Sequence, residues 1–398
     1  MRKLFLVALL AIILSYWYFS SSPANRPGIE TEKKTMSFWG IYDLPEVYQP
    51  LIHEFESSHP GIKVVYKQFA DRQEYDKLLG SQLEEGRGPD ILLFDQDQRD
   101  EMEPYLIPTG APDIGEFPPF VKTSFVSGRL LYALPLWVDS LMIYYNKRYY
   151  PEGIKPQWHD FAEQTLGISI GGVAMGRLDN LKSGWDILKA LFVQKGIFLT
   201  GKAENDLFDT LEFFTRFAIP TDRYFNWNEN LSKNYPDQEI DSFVRGKVAA
   251  IAGYGSIKRL FTVKIAVLRG KNIPHMKDED IGVGLFPQFT PDHPRFLSKY
   301  LALGVSVHSQ VPNEAWEFIR LLTDRKHATY YFQATGRTPG RFLPVDELDS
   351  AAEKIQKLEL PDAVVYPLSP ESQEKLAKIL EKGLKNKNAL REVLQFEF

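Results

Sequence analysis

The residues best placed to do chemistry lie in Leu131–Lys147, LYALPLWVDSLMIYYNK. Trp137 and Asp139 stand there, an aromatic ring and a carboxylate inside a run that is otherwise apolar and β-prone. A carboxylate in such a run needs a partner that satisfies it. Two readings are open on these residues alone. One is a strand junction with Asp139 at an exposed bend. The other is a strand passing between two lobes, with Trp137 and Asp139 facing the gap.

Other groupings give less. The seven histidines are scattered from His53 to His327 with no HExxH or similar spacing, and cysteine is absent, which removes thiol catalysis, disulfides and cysteine–zinc sites. Gly253-Tyr254-Gly255-Ser256 has the wrong spacing for a GxSxG elbow. The run ISIGGVAMGR at 168–177 lacks the Lys-Ser/Thr ending of a phosphate-cradling loop and is no GxGxxG fingerprint. Asp95 and Asp97 form a close carboxylate pair, but nothing in their surroundings marks an acid and a base rather than surface charge. No catalytic residue, metal site or cofactor is expected.

The elements that must position these residues follow from length and periodicity. A chain of 398 residues is long for one core and predicts two lobes. A net charge of −5 argues against a nucleic-acid partner, which calls for a basic face. Arg2 and Lys3 precede the apolar run Leu4–Phe19, the arrangement of an export signal. Ser22 and Ala24 suit cleavage, whereas the aromatic end Tyr16–Phe19 suits an uncleaved membrane anchor, the reading favoured here. Either way the body is extracytoplasmic. Residues 20–35 read as a linker.

Strand Met36–Ile41, helix Pro45–Ser57, strand Ile62–Tyr66, a helix through Tyr75–Leu83 and strand Asp90–Phe94 then form a β-α-β-α-β unit with a mostly parallel sheet. Ligands of such sheets collect at the carboxyl ends of the strands, where Trp39, Tyr42, Asp95 and Gln96 stand; each could also simply cap a turn. Further on, helices are predicted over Pro151–Thr165, Trp185–Gly196, Glu204–Phe217 and Pro312–Thr323. Ile168–Arg177 reads as a strand running into a Gly-rich loop, strands are predicted at Ile281–Pro287 and Tyr300–Val307, and Ile240–Ile251 reads as a helix leading into a strand. The charged face at Glu371–Glu392 reads as solvated surface.

In this order the chain resembles the extracellular solute-binding proteins of ATP-driven importers, family 1, the maltose- and sugar-binding type. The resemblance spans most of residues 36–345. It rests on HPGIKVVY at 59–66, GRGPDILLFD at 86–95, LPLWVDSLMIYYNK at 134–147, FVRGKVAAIAGYG at 243–255, IGVGLFP at 281–287 and YLALGVSVHSQVPNEAWEFIRLLTD at 300–324. It implies an α/β, two-lobe periplasmic-binding-protein fold, each lobe a mostly parallel sheet flanked by helices, hinged by crossover strands. The implied lobes are 36–138 with 300–325 and 139–299 with 326–398. It also implies capture of a carbohydrate or similar polar solute between them, and delivery to a membrane permease after a hinge closure.

On that resemblance Asp139 would accept hydrogen bonds from ligand hydroxyls or an ammonium. Trp39, Tyr42, Asp95 and Gln96 would line the cleft, with Ser256 beside them. Trp137 and Tyr254 would stack on a flat ligand face, and Arg177 either reaches the cleft or belongs to the surface. Two departures stand out. The run after Gly253 lacks the tryptophan that sugar binders of this group often carry, and the residues from Ser350 onward match poorly. Two other functions stay open at this level: a membrane-tethered sensor or scaffold uncoupled from transport, and an extracytoplasmic hydrolase acting through Asp95 and Asp139.

Overall fold

The computed structural model describes residues 33–110, 114–197, 205–232, 237–344, 354–366 and 368–395. The signal or anchor at 1–19 and most of the linker lie outside them. Alternation builds the first strand, β1 (Lys34–Ile41): Met36 and Phe38 are buried, while Ser37 and Trp39 take the other face. Helix α1 (Pro45–Ser58) starts on a proline, whose missing N–H would find no helical partner there, and buries Tyr48, Leu51 and Phe55 at helical spacing. β2 (Ile62–Phe69) runs parallel to β1. Helix α2 (Arg72–Glu84) is capped by Asp71, whose side chain accepts the Glu74 N–H at 2.9 Å. β3 (Ile91–Asp95) has Ile91 through Phe94 fully buried, as a strand covered on both faces must be, and runs parallel to β1.

The chain then crosses between lobes. β4 (Leu134–Asn146) has thirteen residues, nearly all buried. Its first half, Leu134–Ser140, pairs antiparallel with β7 (Phe296–Val305). Its second half pairs antiparallel with β5 (Ala250–Tyr254) and, on the other edge, with β6 (Ile281–Leu285). β7 in turn pairs with β3. The strand order is therefore β2-β1-β3-β7-β4-β5, with β6 on β4 and the short β8 (Ala363–Val364) on β7. The parallel order expected from the β-α-β-α-β unit is met in β2-β1-β3. The two crossover strands, β4 and β7, run antiparallel to each other and to β3, β5 and β6, while the short β8 runs parallel to β7. The register slips between Leu301 and Ala302, which face Trp137 and Pro135, so Leu136 is an extra residue at the point of crossing.

Several elements differ from expectation. Residues 168–177 form no strand; only Ala174 bridges to Ile251. Gly171 and Gly176 turn the chain there with φ of 85° and 107°, values closed to strand geometry. Within Pro151–Thr165 the helix is entered at Trp158, the entry read from the sequence, while Gly153 (φ 83°) and Pro156 hold the preceding residues in turns. Residues from 326 onward are expected with the second lobe, yet the helix Arg325–Thr335 packs on α1. The tie is polar as well as apolar: the Tyr331 hydroxyl donates to Asp43 at 2.8 Å. Helix Pro370–Lys385 instead packs against the second-lobe helix Asn205–Thr215. Among the described residues no helix is long and apolar enough to cross a membrane.

Candidate functional site

Where β4 and β7 cross, a cleft of ≈ 330 Å³ opens, lined by Tyr42, Asp95, Gln96, Trp137 and Ser256. These five expected site residues are brought together from four separate segments. Three cationic side chains also line it: Arg72, Lys299 and Arg337.

Trp137 is only 7% exposed, and its Nε1 has no hydrogen-bond partner among the described residues. A strap from Thr338 to Gly340 runs along this part of β4. The Val138 N–H donates to the Thr338 carbonyl at 2.9 Å, and the Gly340 N–H to the Leu136 carbonyl at 3.1 Å. Only glycine fits at 340, since a Cβ there would strike the Pro135 carbonyl. The strap delivers Arg337, whose guanidinium carbon lies 5.3 Å from the Tyr42 ring centroid and 5.5 Å from that of Trp137.

Asp43 holds Arg337 there. One carboxylate oxygen accepts from Arg337 Nε at 3.2 Å, and the other from the hydroxyls of Tyr48 (2.9 Å) and Tyr331 (2.8 Å). The Tyr66 hydroxyl donates to the Asp43 carbonyl at 2.8 Å, and Tyr42 takes the left-handed conformation (φ 71°) that lets the turn point inward. On the neighbouring strand end, Asp95 caps its own turn, accepting the N–H of Asp97 (3.0 Å) and of Gln98 (3.3 Å) on Oδ1. Its Oδ2 lies 2.9 Å from Arg72. Gln96 Oε1 accepts the Tyr300 N–H at 3.1 Å. Across the gap, Lys189 of the second-lobe helix Gly184–Lys195 lies 4.0 Å from Asp97.

Four expected residues do not face the cleft as ligand groups. Asp139 is buried, and its carboxylate accepts the backbone N–H of Gly255 at 2.6 Å and of Ser256 at 3.1 Å. Its partner is thus the 255–257 turn rather than a solute. Tyr254 is no open stacking platform: Lys299 Nζ sits 3.6 Å from its ring centroid, and its hydroxyl is hydrogen-bonded to Asp186. Trp39 lies on the outer face of β1 against Phe69 and Lys67. Arg177 is engaged by Asp179 at 2.9 Å and packs over Trp227.

Burial dominates the electrostatics. It pushes the Lys299 ammonium below the usual lysine range, with Asp139 and Asp186 opposing. It raises the carboxyl of Asp186, against Lys299 and Lys189, and raises the Tyr254 hydroxyl, reinforced by Asp186. Lys299 and Arg337 were not singled out from sequence. For Lys299 a signal existed: a charged residue in the apolar strand FLSKYLALGV, the same anomaly that marks Asp139, its register partner. Arg337 sits in a loop 200 residues from Trp137 and has no local signal.

Glu359 is a further buried ionisable group, within electrostatic reach of Asp139. It is fully buried, and neither carboxylate oxygen finds a hydrogen bond of ordinary geometry among the described residues; the Phe286 amide gives only a weak electrostatic contribution. Burial, and after it Asp139, raises its carboxyl well above the usual range. The unfolded chain loses that proton near the ordinary glutamate value while the folded chain keeps it. Stability should therefore fall as pH rises above about 4.5. Glu359→Gln should flatten that fall, read by thermal melting from pH 5 to 8; an unchanged slope would remove Glu359 as its source. Among the described residues no group of acidic and histidine side chains could hold a metal ion.

The arrangement suits holding a polar solute, and comparison with known proteins agrees. Residues 43–329 match the family model for bacterial extracellular solute-binding proteins. The structure is similar to the sugar-binding protein MalE from Xanthomonas citri, with a TM-score of 0.71 and 17% identity over 91% of this chain and 96% of that one. It is similar to maltose-bound MalE3 of T. maritima, TM-score 0.64 and 17% identity over 91% and 98%. A third neighbour is UgpB from Mycobacterium tuberculosis in complex with glycerophosphocholine, TM-score 0.66 and 16% identity over 91% and 96%. At these identities the likeness carries the fold. No curated protein sequence matches the chain.

Proposed function

Because the chain belongs to the bacterial extracellular solute-binding protein family, we propose that it captures a carbohydrate or similar small polar solute in the cleft at the β4–β7 crossing and delivers it to a membrane permease of an ATP-driven importer. Family membership places it outside the cytoplasm. The observation that carries the reading is the cleft itself. Groups from both lobes meet at two crossover strands, so a bound molecule would touch both lobes and favour their closed arrangement. Its ≈ 330 Å³ falls at the small end of the range for small-molecule sites, about 300–1,000 Å³.

Trp137 would supply the apolar ring face, Tyr42 a second aromatic surface, and Ser256 a hydroxyl from the second lobe. Asp95 and Gln96 would shape the first-lobe wall. The neighbours whose solutes are saccharides support the carbohydrate class, and the basic and apolar residues at 1–19 support an N-terminal anchor at the outer face of the membrane.

Thermal melting of the full chain against sugars, short oligosaccharides, polyols and amino acids tests the proposal. A true solute at a hundred times its dissociation constant should add about 2.7 kcal/mol of stability, and Trp137→Ala should abolish the shift. A well-folded protein that no compound of the panel stabilises would sink the reading.

A further inference from the structure

Apart from the hydroxyls of Tyr42 and Ser256, the polar groups lining the cleft are unequal in one respect: the oxygen acceptors already hold partners, and several nitrogen donors do not. Asp95 takes two backbone N–H groups and Arg72, and Gln96 Oε1 takes the Tyr300 N–H. Behind the wall, Asp43 takes two tyrosines and Arg337 Nε, and Asp139 takes two backbone N–H groups. Arg72 is likewise consumed, by Asp76 and Asp95.

Three donors remain. Arg337 uses only Nε on Asp43, so its two terminal amines have no partner among the described residues. Lys299 Nζ has no carboxylate within 4.0 Å among them and rests on the Tyr254 ring. Trp137 Nε1, in a side chain more than nine-tenths buried, has no acceptor among them either. Two of the three are cations lining the same cleft. A buried donor without an acceptor is costly, and two like charges in one low-dielectric wall repel each other. A group that only accepts hydrogen bonds and carries negative charge answers both. A neutral sugar could donate to the Tyr42 and Ser256 hydroxyls, but the carboxylate and amide oxygens of the wall already hold partners and it would leave both cations without a counter-charge.

We infer that the solute bears an oxyanion, a carboxylate or a phosphate, seated between Lys299 and Arg337 with the Trp137 N–H completing the donor set. This rests on the solute-binding reading above and names the chemical class within it: a small acidic saccharide or a comparable polar anion. Arginine fits the role because its planar terminal amines meet two oxyanion oxygens at once. The missing tryptophan after Gly253 fits as well, since charge rather than ring stacking supplies the affinity.

Matched pairs test it at constant ionic strength, by calorimetric titration of the full chain: galactose against galacturonate, glucose against glucose 6-phosphate, and inorganic phosphate alone. The acid of at least one pair should bind about 10- to 100-fold tighter than its neutral partner, the scale of a charge-assisted hydrogen bond. The two pairs separate carboxylate from phosphate, and phosphate alone shows whether the sugar is needed. Lys299→Gln and Arg337→Gln should each erase most of that ratio. Lys299→Gln carries the test should loss of the Asp43 pair unfold Arg337→Gln. Neutral sugars binding as tightly as their acids would overturn the oxyanion and leave the solute-binding cleft standing. Failure of every acid to bind would also overturn it, and failure of the neutral sugars as well would take the cleft reading with it.

Discussion

Asp43→Ala should be among the most destabilising single substitutions in the first lobe, costing about 3–5 kcal/mol. The carboxylate is 5% exposed and holds three side chains from three elements: Tyr48 on α1, Tyr331 on the helix Arg325–Thr335, and Arg337 beyond it. Its removal strands a largely buried guanidinium and two buried hydroxyls, and a buried cation without its partner is the costliest of these. At about 2 °C per kcal/mol for a chain of this size, Tm should fall by roughly 6–10 °C. Asp43→Asn keeps one oxygen to accept from the tyrosines but puts an NH2 donor where Arg337 Nε needs an acceptor, so it should fall between wild type and alanine. The same substitutions free the Arg337 guanidinium from its Asp43 ion pair and should weaken solute binding even in molecules that remain folded. A loss under about 1 kcal/mol in Asp43→Ala, by chemical denaturation, would show that the network does not hold the lobe together.

Asp139→Ala should cost about 2–3 kcal/mol in the solute-free protein, the worth of charge-assisted hydrogen bonds to the Gly255 and Ser256 amides. This separates two roles that a binding assay alone confuses. A carboxylate that contacts a solute changes affinity and leaves the empty protein as stable as before. A carboxylate that pins the 255–257 turn changes the empty protein first, and binding only because Ser256 is no longer held in the cleft wall. Melting Asp139→Ala without any solute decides it, and an unchanged Tm would return Asp139 to the ligand. Asp139→Asn, with one oxygen left to accept, should lose about half as much.

The crossover strand was legible because its signals are local. An apolar run of thirteen residues interrupted by Trp137 and Asp139 says that something unusual happens in mid-strand, and the charged residue had to have a partner. What that partner would be was not local. Asp139 meets the amides of a turn 116 residues later, so the carboxylate whose type suggested a ligand acceptor is engaged by the chain itself. Helix Pro312–Thr323 was read to the residue, because Pro312 opens it and Ala315, Trp316, Ile319 and Leu322 form its buried stripe. At 168–177 the Gly-rich loop read from the sequence is present, but the strand expected to lead into it is not, because Gly171 already takes a positive φ.

By itself, the sequence determined the β-α-β-α-β opening, the crossing strand, the family resemblance and the first-lobe strand ends that supply Tyr42, Asp95 and Gln96. These depend on periodicity and on residues a few positions apart. The tertiary structure alone decided which of the candidates face the cleft, and that Lys299 and Arg337 join them. Whether a polar group is free to meet a solute depends on whether another part of the chain already satisfies it. For Asp139, Asp43 and Arg337 that other part lies 116 to 294 residues away, where no pattern along the chain can point to it.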